Sequence, residues 1–167
     1  MATISLKGSE IHTNGELPSA GSKAPDFVLT DAKLADHRLA DFSGKRVLLN
    51  VFPSIDTGVC AESTRKFNQH AAEHPQAQIV TVSADLPFAL ARFCQAEGLD
   101  NVHTLSMMRS RDFASDYGVA IVDGPMAGLA ARAVVVLDEQ GKVLYTELVP
   151  EIAQEPDYQK ALAALAG

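Results

Sequence analysis

Two cysteines, an arginine beside an apolar run, and a proline and threonine ahead of the first cysteine are the residues here best suited to chemistry. Cys60 follows Val47-Leu48-Leu49-Asn50-Val51-Phe52, a run that stops at Pro53. It precedes Ala61-Glu62-Ser63-Thr64-Arg65-Lys66-Phe67-Asn68, which holds helix formers and no breaker. The run is short, continuous and β-branched, so it reads as a buried strand. The thiol therefore sits at a strand-to-helix junction, near unsatisfied N–H groups and the positive end of the helix dipole. Both favour the nucleophilic thiolate. The position equally suits a small core residue, because free cysteine is among the most buried residue types. Thr57, three residues earlier, can set its hydroxyl beside the sulfur or cap the helix. Capping accounts for Thr57 but not for Pro53.

Arg132 adjoins Ala133-Val134-Val135-Val136-Leu137. It is either a strand-end arginine in a surface ion pair or a buried guanidinium that needs a specific acceptor. Arg65 and Arg92 are weaker rivals for a place near the thiol, Arg65 being on the Cys60 helix. Cys94 shares a helical face with Leu90 and Phe93, which suits an inert buried thiol. Its separation of 34 residues from Cys60 excludes a Cys-x-x-Cys pair. His70-Ala71-Ala72-Glu73-His74 matches His-x-x-Glu-His, so zinc held by the two histidines, with Glu147 or Glu151 as a distant third ligand, is a rival chemistry. A polar helix end before Pro75 explains the same five residues. Ser43-Gly44-Lys45-Arg46 lacks the first glycine and the hydroxyl of a phosphate loop, and no Gly-x-Ser-x-Gly turn exists. His12, His37 and His103 stand singly.

The elements that must position these groups follow from pattern and punctuation. Short strands are expected at 3–7 and 9–13, closed by Asn14-Gly15, and at 26–30 and 37–40. The central strand at 46–52 leads to a helix over 58–73, ended before Pro75. A strand at 78–84 precedes a helix to Glu97, with Asp85 as its N-cap, Pro87 just inside and Gly98 as its stop. A strand at 101–105, a short helix at 110–117, a hairpin of 133–137 with 142–148, and a helix at 156–166 complete the chain. The last is amphipathic at Tyr158, Leu162 and Leu165. Parallel crossovers followed by an antiparallel edge make an α/β chain in the thioredoxin-like order.

A length of 167 residues suits one domain, 1–167, with its own core. Hydrophobic residues at 47% and charged residues at 21% are a globular balance. A net charge of −7 and a pI near 5.1 argue against nucleic acid or an anionic membrane as partner. No apolar run approaches a membrane span, and the N-terminus has no basic region followed by an apolar core, so a cytoplasmic location is expected. In a reducing compartment two cysteines are expected to be catalytic, metal-binding or inert rather than a structural bridge.

Pro53-x-x-x-Thr57-x-x-Cys60 resembles the active-site pattern of the peroxiredoxins. The fuller string Pro53-Ser54-Ile55-Asp56-Thr57-Gly58-Val59-Cys60-Ala61 is similar to their bacterial thiol peroxidase branch. The resemblance continues through Ser83-Ala84-Asp85-Leu86-Pro87-Phe88-Ala89, Arg92-Phe93-Cys94, Gly124-Pro125, Gly128 to Val136 and Glu155-Pro156-Asp157-Tyr158, nearly the whole chain. It implies a thioredoxin-like fold, a central mixed sheet flanked by helices with an N-terminal β-hairpin. It also implies a peroxidase that uses no metal, haem or other cofactor.

On that resemblance Cys60 is the peroxidatic thiolate, Thr57 hydrogen-bonds the thiolate and peroxide, and Pro53 shields the pocket. Arg132 stabilises the thiolate and orients the peroxide. Cys94 resolves the Cys60 sulfenic acid as an intramolecular disulfide, the cycle of an atypical two-cysteine peroxiredoxin. Hydrogen peroxide and organic (alkyl or lipid) hydroperoxides are the implied substrates, thioredoxin the reductant and a homodimer the assembly. If the thiols lie on separate helix starts, both segments must unwind in each cycle, because disulfide geometry is narrow. The alternative from another class is a non-catalytic peroxide sensor that uses the same disulfide as a switch.

Overall fold

The computed structural model describes residues 1–110 and 112–167. Strands β1 (Thr3–Leu6) and β2 (Ser9–His12) form an antiparallel hairpin. Its turn is Lys7-Gly8, with φ of 51° and 82°, the doubly positive conformation whose twist matches the flanking strands. Asn14-Gly15 does not close this hairpin. The Asn14 amide accepts from the Ala120 N–H at 3.0 Å and donates to the Ser115 carbonyl at 3.0 Å, tying the hairpin's exit to a later loop.

Seven strands make the main sheet: β3 (Val28–Thr30), β4 (Asp36–Arg38), β5 (Arg46–Val51), β6 (Ala77–Ser83), β7 (His103–Ser106), β8 (Ala133–Leu137) and β9 (Val143–Leu148). Their order is β4-β3-β7-β6-β5-β8-β9. The β5–β6 and β6–β7 pairs are parallel and the others antiparallel. The expected strand at 37–40 is shorter, because a 3-10 turn, Leu39–Phe42, takes over its end. The helices are α1 (Gly58–Ala71), α2 (Pro87–Glu97), α3 (Asp112–Asp116) and α4 (Tyr158–Ala166). The helix expected over 110–117 is thus five residues long, and Arg111 lies outside the described residues.

The period of two in β5 divides the core. Val47, Leu49 and Val51 pack with Val80, Val82 and Val135 under Phe113 of α3, Tyr117 and the hairpin residues Ile4 and Ile11. Leu48 faces the other way, with Ile79, Val134 and Val136, beneath Phe67 of α1 and Ala161 and Leu165 of α4. Both faces of β5 are covered, so from Val47 to Val51 it is apolar without alternation except at Asn50, which is buried. Phe67 is fully buried and meets Tyr158 edge-on at 5.0 Å between ring centroids. Truncating such a residue to alanine costs about 3–5 kcal/mol, so the contact fixes α1 and α4 against the sheet.

Helix α2 starts on Leu86 as N-cap with Pro87 in the first turn. It ends at Gly98, in the left-handed region at φ 67°, where the Leu99 N–H donates to the Cys94 carbonyl at 2.9 Å. The expected N-cap role of Asp85 is corrected here: its carboxylate turns to the loop between β5 and α1. Proline fixes φ at the first helical position, so the N-cap falls on Leu86 and Asp85 lies one residue outside the helix, free for another partner. Among the described residues no helix is long and apolar enough to cross a membrane.

Candidate active site

Cys60 lies in the first turn of α1, whose N-cap is Thr57. The structure settles what Thr57 does locally. Its hydroxyl donates to the Ser54 carbonyl at 2.9 Å, so it neither caps the helix nor donates to the sulfur. The first-turn N–H groups stay uncapped by any side chain, which keeps the positive end of the helix directed at the turn that carries the thiol. Pro53 is buried at the end of β5. Cys60 itself has 0% exposure and packs with Phe52, Ile55 and Leu90, with Phe93 alongside. The Cys60 carbonyl accepts from the Ser63 and Thr64 hydroxyls, both at 2.9 Å, and Asn50 Nδ2 on β5 donates to Ser63 Oγ at 3.2 Å. These bonds lock the backbone of the cysteine to the sheet.

The arginine arrives through strand pairing. β8 runs antiparallel to β5 with Ala133 opposite Val51. Arg132, one residue before β8, is therefore delivered to the end of β5, where the Cys60 loop begins. It is only 1% exposed, Nε donates to the Ile152 carbonyl at 2.9 Å, and Nη2 donates to Cys60 Sγ at 3.2 Å. Nη1 is buried without a partner, and among the described residues no carboxylate lies within ion-pair distance of this guanidinium. The Glu155 carboxylate feels Arg132 through space without bonding it, and a buried cation with no directly bonded counter-charge is expensive. The sulfur accepts one of its donors, and the unpartnered Nη1 leaves another for an oxygen-bearing group. The surface ion-pair reading of Arg132 does not survive this geometry.

Comparison with known proteins agrees with the geometry. Residues 19–162 match the Redoxin family. Curated thiol peroxidases of Mycobacterium bovis and Mycobacterium tuberculosis are each 58% identical over 165 residues, 99% of this chain and 99% of theirs. The chain belongs to the thiol peroxidases. The crystal structure of a peroxiredoxin-like protein from Aquifex aeolicus superposes with a TM-score of 0.94 at 36% identity, covering 99% of this chain and 96% of that one. The thioredoxin-like fold expected from the order of elements is therefore the fold observed.

Both cysteines are free thiols. Cys94 is half-buried in the last turn of α2, not at a helix start, and packs against the cluster of Phe67 and Ile79 rather than with Cys60. Burial pushes its thiol up from the ordinary 9.0 to about 11, with the Asp100 carboxylate adding to the effect. Arg65 spans the two cysteine helices. It donates from Nε and Nη2 to the Glu97 carboxylate at 3.1 and 3.0 Å, reaches Glu62 at 3.4 Å, and lies 5.5 Å from the Phe93 ring centroid. Arg92 approaches Asp56 only at 3.8 Å, both side chains largely exposed, which is worth little. In this thiol peroxidase, then, Arg132 alone of the three arginines bonds the sulfur.

The carboxylates weighed as third zinc ligands are engaged elsewhere. Glu147 accepts the Asp157 N–H at 2.8 Å. Glu151 accepts Ser5 Oγ at 2.6 Å and the hairpin-turn N–H groups of Lys7 and Gly8 at 2.9 and 3.3 Å, which holds its carboxyl down to about 2. Helix α1 stops at Ala71 rather than at 73, so Glu73 and His74 lie past its end, and His70 meets Glu73 there at 3.4 Å. Among the described residues no group of three or more His, Cys, Asp or Glu gathers as a metal set. A cavity of about 270 Å³ lies at the far end of β5, against Val47, Asp26 and Leu137, away from the thiol.

Sequence reasoning missed the Ile152 carbonyl. No residue-type signal marks a backbone acceptor, and its place depends on Glu151 collaring the hairpin turn next door. It also missed the loop-holding role of Asp85, because aspartate ahead of a proline-started helix is a familiar capping pattern.

Proposed function

We propose that this thiol peroxidase reduces hydrogen peroxide and organic hydroperoxides with Cys60 as nucleophile and Cys94 as resolving thiol, recycled by thioredoxin. The observation that carries the reading is the buried Arg132, which has no carboxylate within ion-pair distance and donates to Cys60 Sγ at 3.2 Å. The Cys60 thiolate attacks one peroxide oxygen. An S–O bond forms, the O–O bond breaks, and the departing oxygen takes a proton and leaves as water or alcohol. Nη1 of Arg132 is the donor available to the oxygens as charge moves onto them. Thr57 Oγ1, its proton directed to Ser54, accepts from a peroxide O–H. Pro53 closes the site on the strand side.

Cys94 as thiolate then attacks the sulfur of the Cys60 sulfenic acid. The S–S bond forms, the S–O bond breaks, and hydroxide leaves with a proton as water. The two thiols pack in separate clusters, so the step follows opening of α2 and of the first turn of α1. Exchange with a reduced dithiol protein such as thioredoxin restores both thiols. No metal or other cofactor takes part in this scheme, the assembly is a homodimer, and the location is the cytoplasm.

The deciding experiment is peroxide turnover coupled to thioredoxin and its reductase. Parent protein is expected to cycle, Cys60→Ser to show no turnover, and Cys94→Ser to consume one equivalent of peroxide and then stall. Thioredoxin-dependent cycling of Cys94→Ser at the parent rate would remove Cys94 from the mechanism.

A further inference from the structure

Asp85 stands between the two cysteine-bearing segments. Its Oδ1 accepts from Ser54 Oγ at 2.7 Å, and its Oδ2 accepts from the Ile55 N–H at 2.7 Å and from Ser83 Oγ at 2.6 Å. From behind, its own N–H donates to Ser83 Oγ at 3.2 Å, and its carbonyl accepts from Ser106 Oγ on β7. The residue is thus anchored to two strands and reaches forward to the loop ahead of Cys60. That loop in turn sets Thr57, since the Ser54 carbonyl receives both the N–H and the hydroxyl of Thr57, at 3.2 and 2.9 Å. One residue after Asp85, Leu86 is the N-cap of α2, the helix that carries Cys94. A single carboxylate therefore grips the peroxidatic loop and sits at the root of the resolving helix.

We propose that Asp85 is a positioning residue that holds the 53–57 loop and the first turn of α1 in the peroxide-reactive shape, and whose grip must be released for Cys94 to reach Cys60. The inference rests on the peroxidase reading above and adds to it a residue that governs passage between its two steps. Two of the carboxylate's three accepted bonds are to Ser54 and Ile55, in the loop ahead of Cys60, and the third is to Ser83 at the end of β6. Bonds to an ionised acceptor are the stronger kind. Losing them makes the reactive shape rarer and the opened shape commoner, so the two chemical steps shift apart. A residue that served only to stabilise the fold would leave the ratio of the steps in folded molecules unchanged.

The test uses full-length parent, Asp85→Ala, Asp85→Asn and Ser54→Ala. Each is mixed with hydrogen peroxide, quenched at intervals with a thiol label, and resolved by mass spectrometry into thiol, sulfenic, sulfinic and disulfide forms. Circular dichroism gives the folded fraction. In Asp85→Ala the second-order rate of Cys60 oxidation is expected to fall about tenfold, the equivalent of one lost charge-assisted bond. The conversion of sulfenic acid to disulfide is expected to proceed at or above the parent rate, with less sulfinic acid at excess peroxide.

Asp85→Asn keeps an acceptor for the Ile55 N–H and is expected to recover most of the oxidation rate. Ser54→Ala removes one arm and is expected to fall between parent and Asp85→Ala. If Asp85→Ala does not fold, the ordering of the other two against parent carries the same split. Equal slowing of both steps, or no change in either, in folded Asp85→Ala, or in folded Ser54→Ala where Asp85→Ala does not fold, would overturn the role of Asp85. A parent that forms no Cys60 sulfenic acid or no Cys60–Cys94 disulfide would instead overturn the peroxidase reading, and this inference with it.

Discussion

Replacing Arg132 by methionine separates its chemical from its structural contribution. In the native site Nη2 donates to Cys60 Sγ at 3.2 Å and Nε to the Ile152 carbonyl at 2.9 Å, with the side chain 1% exposed. A hydrogen bond to a charged group contributes about 1.5–3 kcal/mol. At roughly 1.36 kcal/mol per tenfold in rate, its loss slows Cys60 oxidation about 10- to 150-fold if the bond operates fully in the transition state. Stability should move little. Methionine has similar reach, and removing a buried cation that has no carboxylate partner is often neutral or favourable, while the Ile152 carbonyl loses one donor at about 1 kcal/mol. The assay is second-order oxidation of a Cys94→Ser background by hydrogen peroxide, read by mass spectrometry, beside a thermal melt of the same samples. The expected pattern is a large rate loss in a protein whose stability changes by no more than about 2 kcal/mol. Lysine should recover only part of the rate, because one ammonium lacks the fork that serves sulfur and carbonyl together. A methionine variant within threefold of the parent rate, or a rate loss that simply follows the unfolded fraction, would refute the charge argument.

Three further expectations concern the second cysteine, the helix start and the hairpin. In Cys60→Ser, alkylation of Cys94 should titrate near 11 rather than 9.0 in the folded state, because burial raises it. The unfolded thiol ionises first as pH rises, so the stability tied to neutral Cys94 is complete below about 9 and lost as pH climbs through about 11. Opening of α2 should quicken across that window, measured by amide exchange; an alkylation midpoint at 9.0 would contradict it. Gly58→Ala adds a methyl where nothing lies within 4 Å and φ is not positive. It should stabilise the first turn of α1 by about 0.4–1 kcal/mol and slow disulfide formation about two- to fivefold in single-turnover quench experiments. Glu151→Gln removes the charge that collars Lys7 and Gly8 beside the Ile152 carbonyl, so hairpin amides should exchange faster and Cys60 oxidation should slow. In the parent, with Glu151 depressed from 4.5 to about 2, the hairpin's docking should be complete above about 4.5 and lost as pH falls through about 2. The glutamine variant should show no such transition.

The elements near the site were legible because their signals are local. Val47 to Phe52 is apolar, β-branched and stopped by proline, and the strand ends one residue short of the expected boundary. Gly98 marked the end of α2 because the left-handed conformation there suits glycine. Where expectation and structure part, a distant partner outbid the local preference. Asp85 leaves the helix start for Ser54 and Ile55, some thirty residues away. Thr57 gives its hydroxyl to Ser54 instead of to the helix it begins. Glu151, weighed as a zinc ligand, serves the turn of a hairpin at the other end of the chain.

By itself the sequence determined which thiol opens a helix, which strand delivers it, and which residue types flank it, because capping, periodicity and chain-breaking act over a few residues. Local pattern left Arg132, 72 residues from Cys60, open between surface and site, with only the resemblance pointing to the thiol; the tertiary structure shows it bonded to the sulfur, while Arg65 serves Glu97 and Arg92 stays at the surface. The physical reason is register: antiparallel pairing of Ala133 with Val51 brings one arginine to the end of β5, and no pattern within either segment encodes that meeting.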